Sequence, residues 1–171
     1  MSAQPTAGGT YARHAEASAE LLASQRELFD FLDDHRNLSS HMESSRSPMM
    51  AGGTMQLILD EQQGRQTGSH LVMRGKVMGF ELFVDEIVVE RVPPAKKAWE
   101  TVDARLVVIG PYRLGFRITE RAPTLCVLTV WIDYDLPTQR RWLGVLGGSM
   151  YARWCVQQML GSASAHFADA R

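Results

Sequence analysis

The chain has 171 residues, of which 45% are hydrophobic and 22% are charged. A length near ~150 residues suits one domain with one sizeable core, and the composition is that of a globular protein rather than a disordered or fibrous one. Eighteen basic residues against nineteen acidic ones leave a formal net charge of -1. The sequence therefore lacks the basic excess that marks a nucleic-acid-binding face.

Cysteine usage and the N-terminal segment bear on the compartment. Cys126 and Cys155 form no CxxC pair or Cys/His cluster, which excludes the common metal and redox motifs. Residues 1–10 have neither the basic nor the apolar region of a signal peptide, and no apolar run reaches the roughly 18 residues of a bilayer span. We expect a cytoplasmic protein with a disordered tail over 1–10 and a single domain over 11–168.

Two short helices are predicted after a weak first strand. Residues 11–19 are interpreted as an edge strand, although they are rich in alanine. Ser24 and Glu27 have the spacing of a capping box, and apolar residues then recur at helical intervals, so a helix is predicted over about 24–34. A second helix is predicted near 35–44, before the loop SSRSPMMAGG.

From Thr54 onward the apolar residues recur at every second position, which indicates a succession of antiparallel strands. In the run 80–92 this alternation shifts by one residue halfway along. Such a slip is typical of a β-bulge, which we place near Asp85 and Glu86.

Later strands are separated by proline and glycine. The pair Pro93–Pro94 ends one strand, since neither residue can donate to a ladder, and KAWETV begins the next. The segment 105–121 is interpreted as one strand that Gly110 and Pro111 kink but do not end. LCVLTVWIDYDL is predicted to be the last strand.

The remaining chain is predicted to form a long C-terminal helix. One broad apolar face results from Met150, Tyr151, Trp154, Cys155 and Met159. The preceding WLGVLGG contains three glycines, each of which costs roughly 1 kcal/mol of helix propensity relative to alanine. We therefore expect residues 142–148 to be a frayed or mobile entry to the helix.

This order of elements predicts an α+β fold with about six to seven antiparallel strands. A twisted and bulged sheet curls, and a helix laid across its concave side leaves space unless large side chains fill it. That space is expected to be a ligand pocket. Its predicted lining is Leu71, Met73, Leu82, Val84, Trp99, Tyr112, Leu114, Phe116, Val130, Ile132, Tyr134, Tyr151, Trp154, Cys155 and Met159.

Two acidic residues of the bulge bear on chemistry inside the pocket. A carboxylate of Asp85 or Glu86 turned inward would face apolar walls, which raise its pKa and suit it to acid or base work. We expect both to face solvent instead.

Several segments resemble the SRPBCC superfamily: ASAELLASQRELFDFLDDH, VVERVPPAKKAWET, VWIDYDLP and YARWCVQQML. The resemblance covers about residues 12–165 and implies the START-like, helix-grip fold, in which a curved sheet wraps around the C-terminal helix. It also implies a pocket for a hydrophobic or amphipathic ligand between sheet and helix. It transfers no catalytic residues, because enzymes of this superfamily do not share one set.

No metal, cofactor or catalytic constellation is predicted. The densest cluster of potential ligands, Asp33, Asp34, His35, His41 and Glu43, lacks the i, i+4 histidine spacing of a helical metal site. We interpret Asp34 as the N-cap of the second helix. The sequence also contains no GxSxG nucleophile elbow and no GxGxxG phosphate-binding loop.

The leading hypothesis is a carrier that holds a hydrophobic small molecule or lipid without changing it. The first alternative is an enzyme of the polyketide cyclase/dehydrase kind, and the second is a partner-binding regulatory domain with a vestigial pocket. A carrier or an enzyme is expected to enclose roughly 300 Å³ or more, and an enzyme needs at least two converging titratable groups. Transient contact between a membrane and residues 140–146 is a further expectation, and the oligomeric state is left open.

Overall fold

The computed structural model describes residues 10–43, 53–77 and 79–169. Within these ranges the strands are β1 Arg13–Leu21, β2 Thr54–Leu59, β3 His70–Val77, β4 Phe80–Val92, β5 Lys96–Arg105, β6 Tyr112–Ala122 and β7 Leu125–Tyr134. The helices are α1 Gln25–Asp33, α2 His35–Glu43 and α3 Arg141–Asp169. The expectations for residues 1–9 and for the loop over 44–52 fall outside the described residues.

The described strands form one antiparallel sheet in the order β1-β7-β6-β5-β4-β3-β2. Strands β2 to β7 pair with their sequence neighbours, whereas β1 pairs with β7 and so brings the start of the chain beside the last strand. Helix α3 packs against β1 and β7, and α1 and α2 lie against it. The predicted α+β plan with two short helices after the first strand is confirmed.

Local hydrogen bonds start both short helices where the sequence predicts. The backbone N–H of Glu27 donates to Ser24 Oγ at 3.3 Å and the backbone N–H of Ser24 donates to Glu27 Oε2 at 3.0 Å, which completes the capping box. The backbone N–H of Arg36 donates to Asp34 Oδ1 at 3.0 Å, so Asp34 caps α2. Helix α2 therefore follows α1 with one intervening residue.

The segment between β5 and β6 corrects the prediction of one kinked strand over 105–121. β5 pairs with β6 only as far as Glu100, and the chain then leaves the sheet over residues 106–111. Gly110 N–H donates to the carbonyl of Asp135 at 2.8 Å, and Asp135 N–H donates to the carbonyl of Pro111 at 2.9 Å. The segment ends the strand because its backbone bonds to the chain beyond β7.

Helix α3 begins at Arg141, so residues 142–148 are helical and the expectation of a frayed entry is wrong, whereas a mobile entry stays a prediction. Its glycines allow the helix to approach neighbouring backbone and side chains closely. A Cβ atom at Gly144 would lie 2.4 Å from Pro137 Cδ, and one at Gly148 would lie 3.0 Å from the carbonyl oxygen of Val108. This packing offsets the low helix propensity of glycine.

Replacing Gly144 with alanine is expected to destabilise the protein by about 1–3 kcal/mol, because the Pro137 ring must move to admit the methyl group. Gly161 provides the matched control, since a Cβ there meets no atom within 4 Å in the same helix. Gly161→Ala is expected to stabilise by up to about 1 kcal/mol. Urea denaturation of both variants measures the difference; equal effects of the same sign would contradict the close-packing explanation.

Candidate functional site

A cavity lies between the inner face of the sheet, α2 and α3, and its volume is about 60 Å³. Its apolar lining is Leu38, Leu57, Met73, Trp99, Leu114, Ile132 and Met159. Its polar lining is His35, Ser39, Glu86, Tyr112, Tyr151 and Cys155. The polar side chains come from α2, the central strands and α3, so the tertiary fold gathers them at one place.

The predicted pocket residues divide into two groups. The cavity is lined by Met73, Trp99, Tyr112, Leu114, Ile132, Tyr151, Cys155, Met159 and the acidic Glu86. The core instead contains Leu71, Val84, Phe116, Val130 and Tyr134, with Leu82 packed against it and Trp154 beside the Tyr151 ring. A ligand-binding role for any of these residues remains a prediction.

The bulge predicted near Asp85 and Glu86 exists, but its extra residue, Val102, lies in the partner strand β5. Because β4 itself has no insertion there, its alternation continues, and Glu86 is buried on the same face as Val84 and Val88. The expectation that both acidic residues face solvent is therefore wrong for Glu86. Asp85 lies on the other face of the strand.

Burial raises the pKa of Glu86 to about 7, and the nearby charge of Asp85 adds to the rise. Two hydrogen bonds to the Glu86 side chain, from Tyr112 and Trp99, oppose it. The Tyr112 hydroxyl donates to Glu86 Oε1. Among the described residues that line the cavity, only Glu86 has a carboxyl group, and the pKa of that group lies near neutral pH.

Helix α3 contributes a second polar pair, Tyr151 and Cys155, which hydrogen bond to each other. Burial raises the pKa of the Cys155 thiol to about 12. The neighbouring thiol and burial together raise the pKa of Tyr151 well above its ordinary value. Both groups are therefore protonated at neutral pH, and Cys155 lacks the thiolate that nucleophilic catalysis requires.

Helix α2 contributes two polar side chains that the sequence-based pocket omits, His35 and Ser39. Burial lowers the pKa of His35 well below its usual value, so the imidazole is neutral at physiological pH. Its ring meets that of Trp99 edge to face at 4.7 Å. Among the described residues, His35 Nε2 and Ser39 Oγ are buried without a hydrogen-bond partner.

The signal for these residues was present in the sequence. His35, Leu38 and Ser39 are spaced at i, i+3 and i+4, which puts them on one helix face. The missed Leu57 alternates with Met55 and Leu59 along β2 in the same way. What the sequence did not reveal is that this face of α2 turns toward α3 and the sheet.

A buried ionic cluster fixes the end of α1 on the sheet. Arg91 donates to both carboxylate oxygens of Asp33, at 3.1 and 2.8 Å, and Lys97 Nζ donates to Asp33 Oδ1 at 2.8 Å and to the Asp33 carbonyl at 3.1 Å. Burial alone would raise the pKa of Asp33, but the hydrogen bonds and charges of Arg91 and Lys97 hold it below its usual value. This cluster anchors the α1–α2 junction immediately before His35.

The same contacts separate the acidic and histidine residues noted in the sequence. The Asp33 carboxylate belongs to the ionic cluster. Asp34 Oδ2 lies 3.5 Å from a guanidinium nitrogen of Arg36 and of Arg65. The His35 side chain lines the cavity. The side chains of His41 and Glu43 lie outside the described set. Within the described residues, no three metal-ligating side chains gather at one point.

No family model matches the chain, and no curated protein matches it. Solved structures do match, including a START superfamily protein from Mycobacterium smegmatis, at 12% identity and a TM-score of 0.60, covering 92% of this chain and 99% of that one. A protein from Thermus thermophilus has 11% identity and a TM-score of 0.64, with the same coverage. A norcoclaurine synthase point mutant from Thalictrum flavum, in complex with a transition-state analogue, has 10% identity and a TM-score of 0.63, covering 92% and 95%.

The chain therefore has the START-like, helix-grip fold that the sequence analysis predicted. At these identities the likeness defines the architecture, whereas the ligand and any reaction depend on the side chains of the site.

Proposed function

We propose that this protein binds a small amphipathic molecule in the cavity between the sheet, α2 and α3. The polar part of the molecule contacts the groups around Glu86 and Tyr112, and its apolar part contacts the wall formed by Met73, Leu114 and Ile132. A small-molecule site usually combines apolar walls with polar groups that converge on the ligand.

The observation that supports this most strongly is that two buried atoms of the cavity lining, His35 Nε2 and Ser39 Oγ, have no hydrogen-bond partner among the described residues. Leaving a buried polar group unsatisfied costs about 1–3 kcal/mol, so such groups are rare unless something binds them. A ligand that hydrogen bonds to both atoms recovers this cost. A vestigial pocket would be expected to fill with apolar side chains instead.

The volume limits the ligand. About 60 Å³ is below the roughly 300 Å³ expected from the sequence for a carrier or an enzyme, and it accommodates a few water molecules or a small polar group. A lipid-sized ligand would require α2 or α3 to move away from the sheet. The volume therefore counts against both a carrier and an enzyme of the size expected from the sequence, and the proposal is restricted to a compact ligand.

A second candidate function is proton transfer on the bound molecule, and the position of Glu86 favours it. A buried carboxyl group with a pKa of about 7 can both accept and donate a proton near neutral pH. The protonated Tyr112 and Tyr151 hydroxyls line the same cavity and can hydrogen bond to a developing negative charge. One structurally similar protein, from Thalictrum flavum, is named as an enzyme, norcoclaurine synthase.

The binding proposal is tested by native mass spectrometry of the protein from its own host, with release and identification of the bound molecule. Tyr112→Phe is expected to weaken binding of that molecule by roughly tenfold, since it removes one hydrogen-bonding hydroxyl. Tyr134→Phe is the matched control, because Tyr134 is buried but does not line the cavity. Isothermal titration calorimetry measures both affinities.

An empty protein whose melting temperature no small molecule raises would contradict binding and favour the partner-binding alternative. Equal affinities of the two tyrosine variants would place the ligand elsewhere. Incubation of the identified molecule with the wild type and with Glu86→Gln separates carriage from catalysis. A product formed by the wild type alone, while the variant still binds, establishes proton transfer by Glu86.

A further inference from the structure

Helix α3 exposes an apolar face immediately before the residues that line the cavity. Trp142, Val145, Leu146 and Met150 are 62%, 54%, 74% and 59% exposed. Their i, i+3, i+4 and i+8 spacing puts them on one side of the helix, opposite the face on which Gly144 and Gly148 pack. Four large apolar side chains exposed together on one side of a helix indicate a contact surface rather than scattered exposure.

The charges around this face have one sign. Residues 136–168 contain Arg140, Arg141 and Arg153 and no aspartate or glutamate. Among the described residues, none of these three arginines lies in an ion pair. The surface thus combines exposed apolar side chains with arginines that are free to meet anionic groups.

The β3–β4 hairpin extends this surface. The guanidinium of Arg140 lies 5.8 Å from the centroid of the Phe80 ring, which is 46% exposed. The adjacent Glu81 lies 3.9 Å from Lys76, so its charge is partly offset. We define the docking face as Phe80, Arg140, Arg141, Trp142, Val145, Leu146, Met150 and Arg153.

We propose that the docking face binds the surface of a membrane that contains anionic lipids. Apolar side chains with a tryptophan suit the boundary between headgroups and acyl chains, and arginines beside them meet the phosphates. If a second copy of the chain docked through the same face, two sets of three arginines would face and repel each other, which disfavours a dimer through this face. No helix among the described residues is long and apolar enough to cross a bilayer.

This proposal does not depend on what the cavity binds. Its structural connection is that α3 continues directly from the docking face to Tyr151, Cys155 and Met159. Along α3, the cavity-lining Tyr151 and Cys155 follow Leu146 by about one and a half and two and a half helical turns.

Co-sedimentation of the full chain with vesicles tests the proposal. Vesicles with equal amounts of phosphatidylcholine and phosphatidylglycerol are expected to bind the protein, and pure phosphatidylcholine vesicles to bind it weakly. Leu146→Glu is expected to reduce binding to the mixed vesicles by roughly tenfold through loss of apolar insertion. Arg141→Gln with Arg153→Gln is expected to reduce it by roughly fivefold for each arginine.

Leu22→Glu is the matched control, because Leu22 is 55% exposed outside the docking face and its replacement should leave vesicle binding unchanged. Circular dichroism verifies that each variant is folded. Equal binding to both vesicle types, or equal loss in the Leu22 and Leu146 variants, would overturn the proposal. A dimer of the wild type in light scattering that becomes a monomer in Leu146→Glu would also overturn the proposal, because the docking face would then bind a second copy of the chain.

Discussion

Replacing Asp33 with asparagine is expected to lower the free energy of unfolding by about 3–5 kcal/mol. The Lys97 ammonium is fully buried and donates to the Asp33 carboxylate, and Arg91 donates to it through two nitrogen atoms. Asparagine has nearly the same shape, so the variant removes the compensating charge without creating a cavity. The cost arises because the Lys97 charge stays buried without its counter-charge.

Asp30→Ala is the matched control in the same helix. Asp30 lies 3.4 Å from Arg26, but both side chains are more than half exposed, so the effect should stay below about 1 kcal/mol. The double variant Asp33→Leu with Lys97→Met removes both buried charges and is expected to be more stable than Asp33→Asn. Urea denaturation measures all three; a loss below ~1 kcal/mol in Asp33→Asn would show that the cluster does not anchor α1.

Glu86→Gln is expected to stabilise the protein at alkaline pH while changing little in acid. The folded-state pKa of Glu86, about 7, lies above its ordinary value of 4.5, so folding favours the protonated carboxyl group. The stability that this proton contributes is fully present below the unfolded-state pKa and is lost as the pH rises through 7. Between pH 4.5 and about pH 8, the wild type should lose on the order of 3 kcal/mol relative to the variant.

The comparison between variant and wild type at each pH isolates Glu86. His35 acts in the opposite direction, because its lowered pKa makes stability fall as the pH falls below its ordinary value, but it is present in both proteins. Glu81→Gln on the same strand is the control, since its side chain is 79% exposed. Parallel pH profiles of the wild type and Glu86→Gln would show that Glu86 does not have a raised pKa in the folded state.

The prediction of the bulge shows where sequence patterns stop being informative. The change of parity in the apolar residues of β4 led to a predicted insertion near Asp85, but the buried side chains Val84, Glu86 and Val88 alternate without interruption, so β4 has no insertion there. The insertion near Asp85 is Val102 of β5, which leaves Glu86 on the inner face, and the insertion in β4 itself, Val89, comes later in the strand. The apolar pattern of one strand does not reveal an insertion in the strand that pairs with it.

The order of strands and helices, the helix caps and the apolar alternation depend on residues within a few positions of one another, so the sequence by itself determined them. The START-like fold was expected from that order together with the resemblance of several segments to the SRPBCC superfamily. The cavity did not, because its polar groups come from α2, the central strands and α3, and its size depends on how closely Trp99, Tyr112 and Met159 pack. Only the tertiary structure decided that Glu86 is buried beside Tyr112, that Asp33 compensates Lys97, and that the start of α3 is an exposed helix.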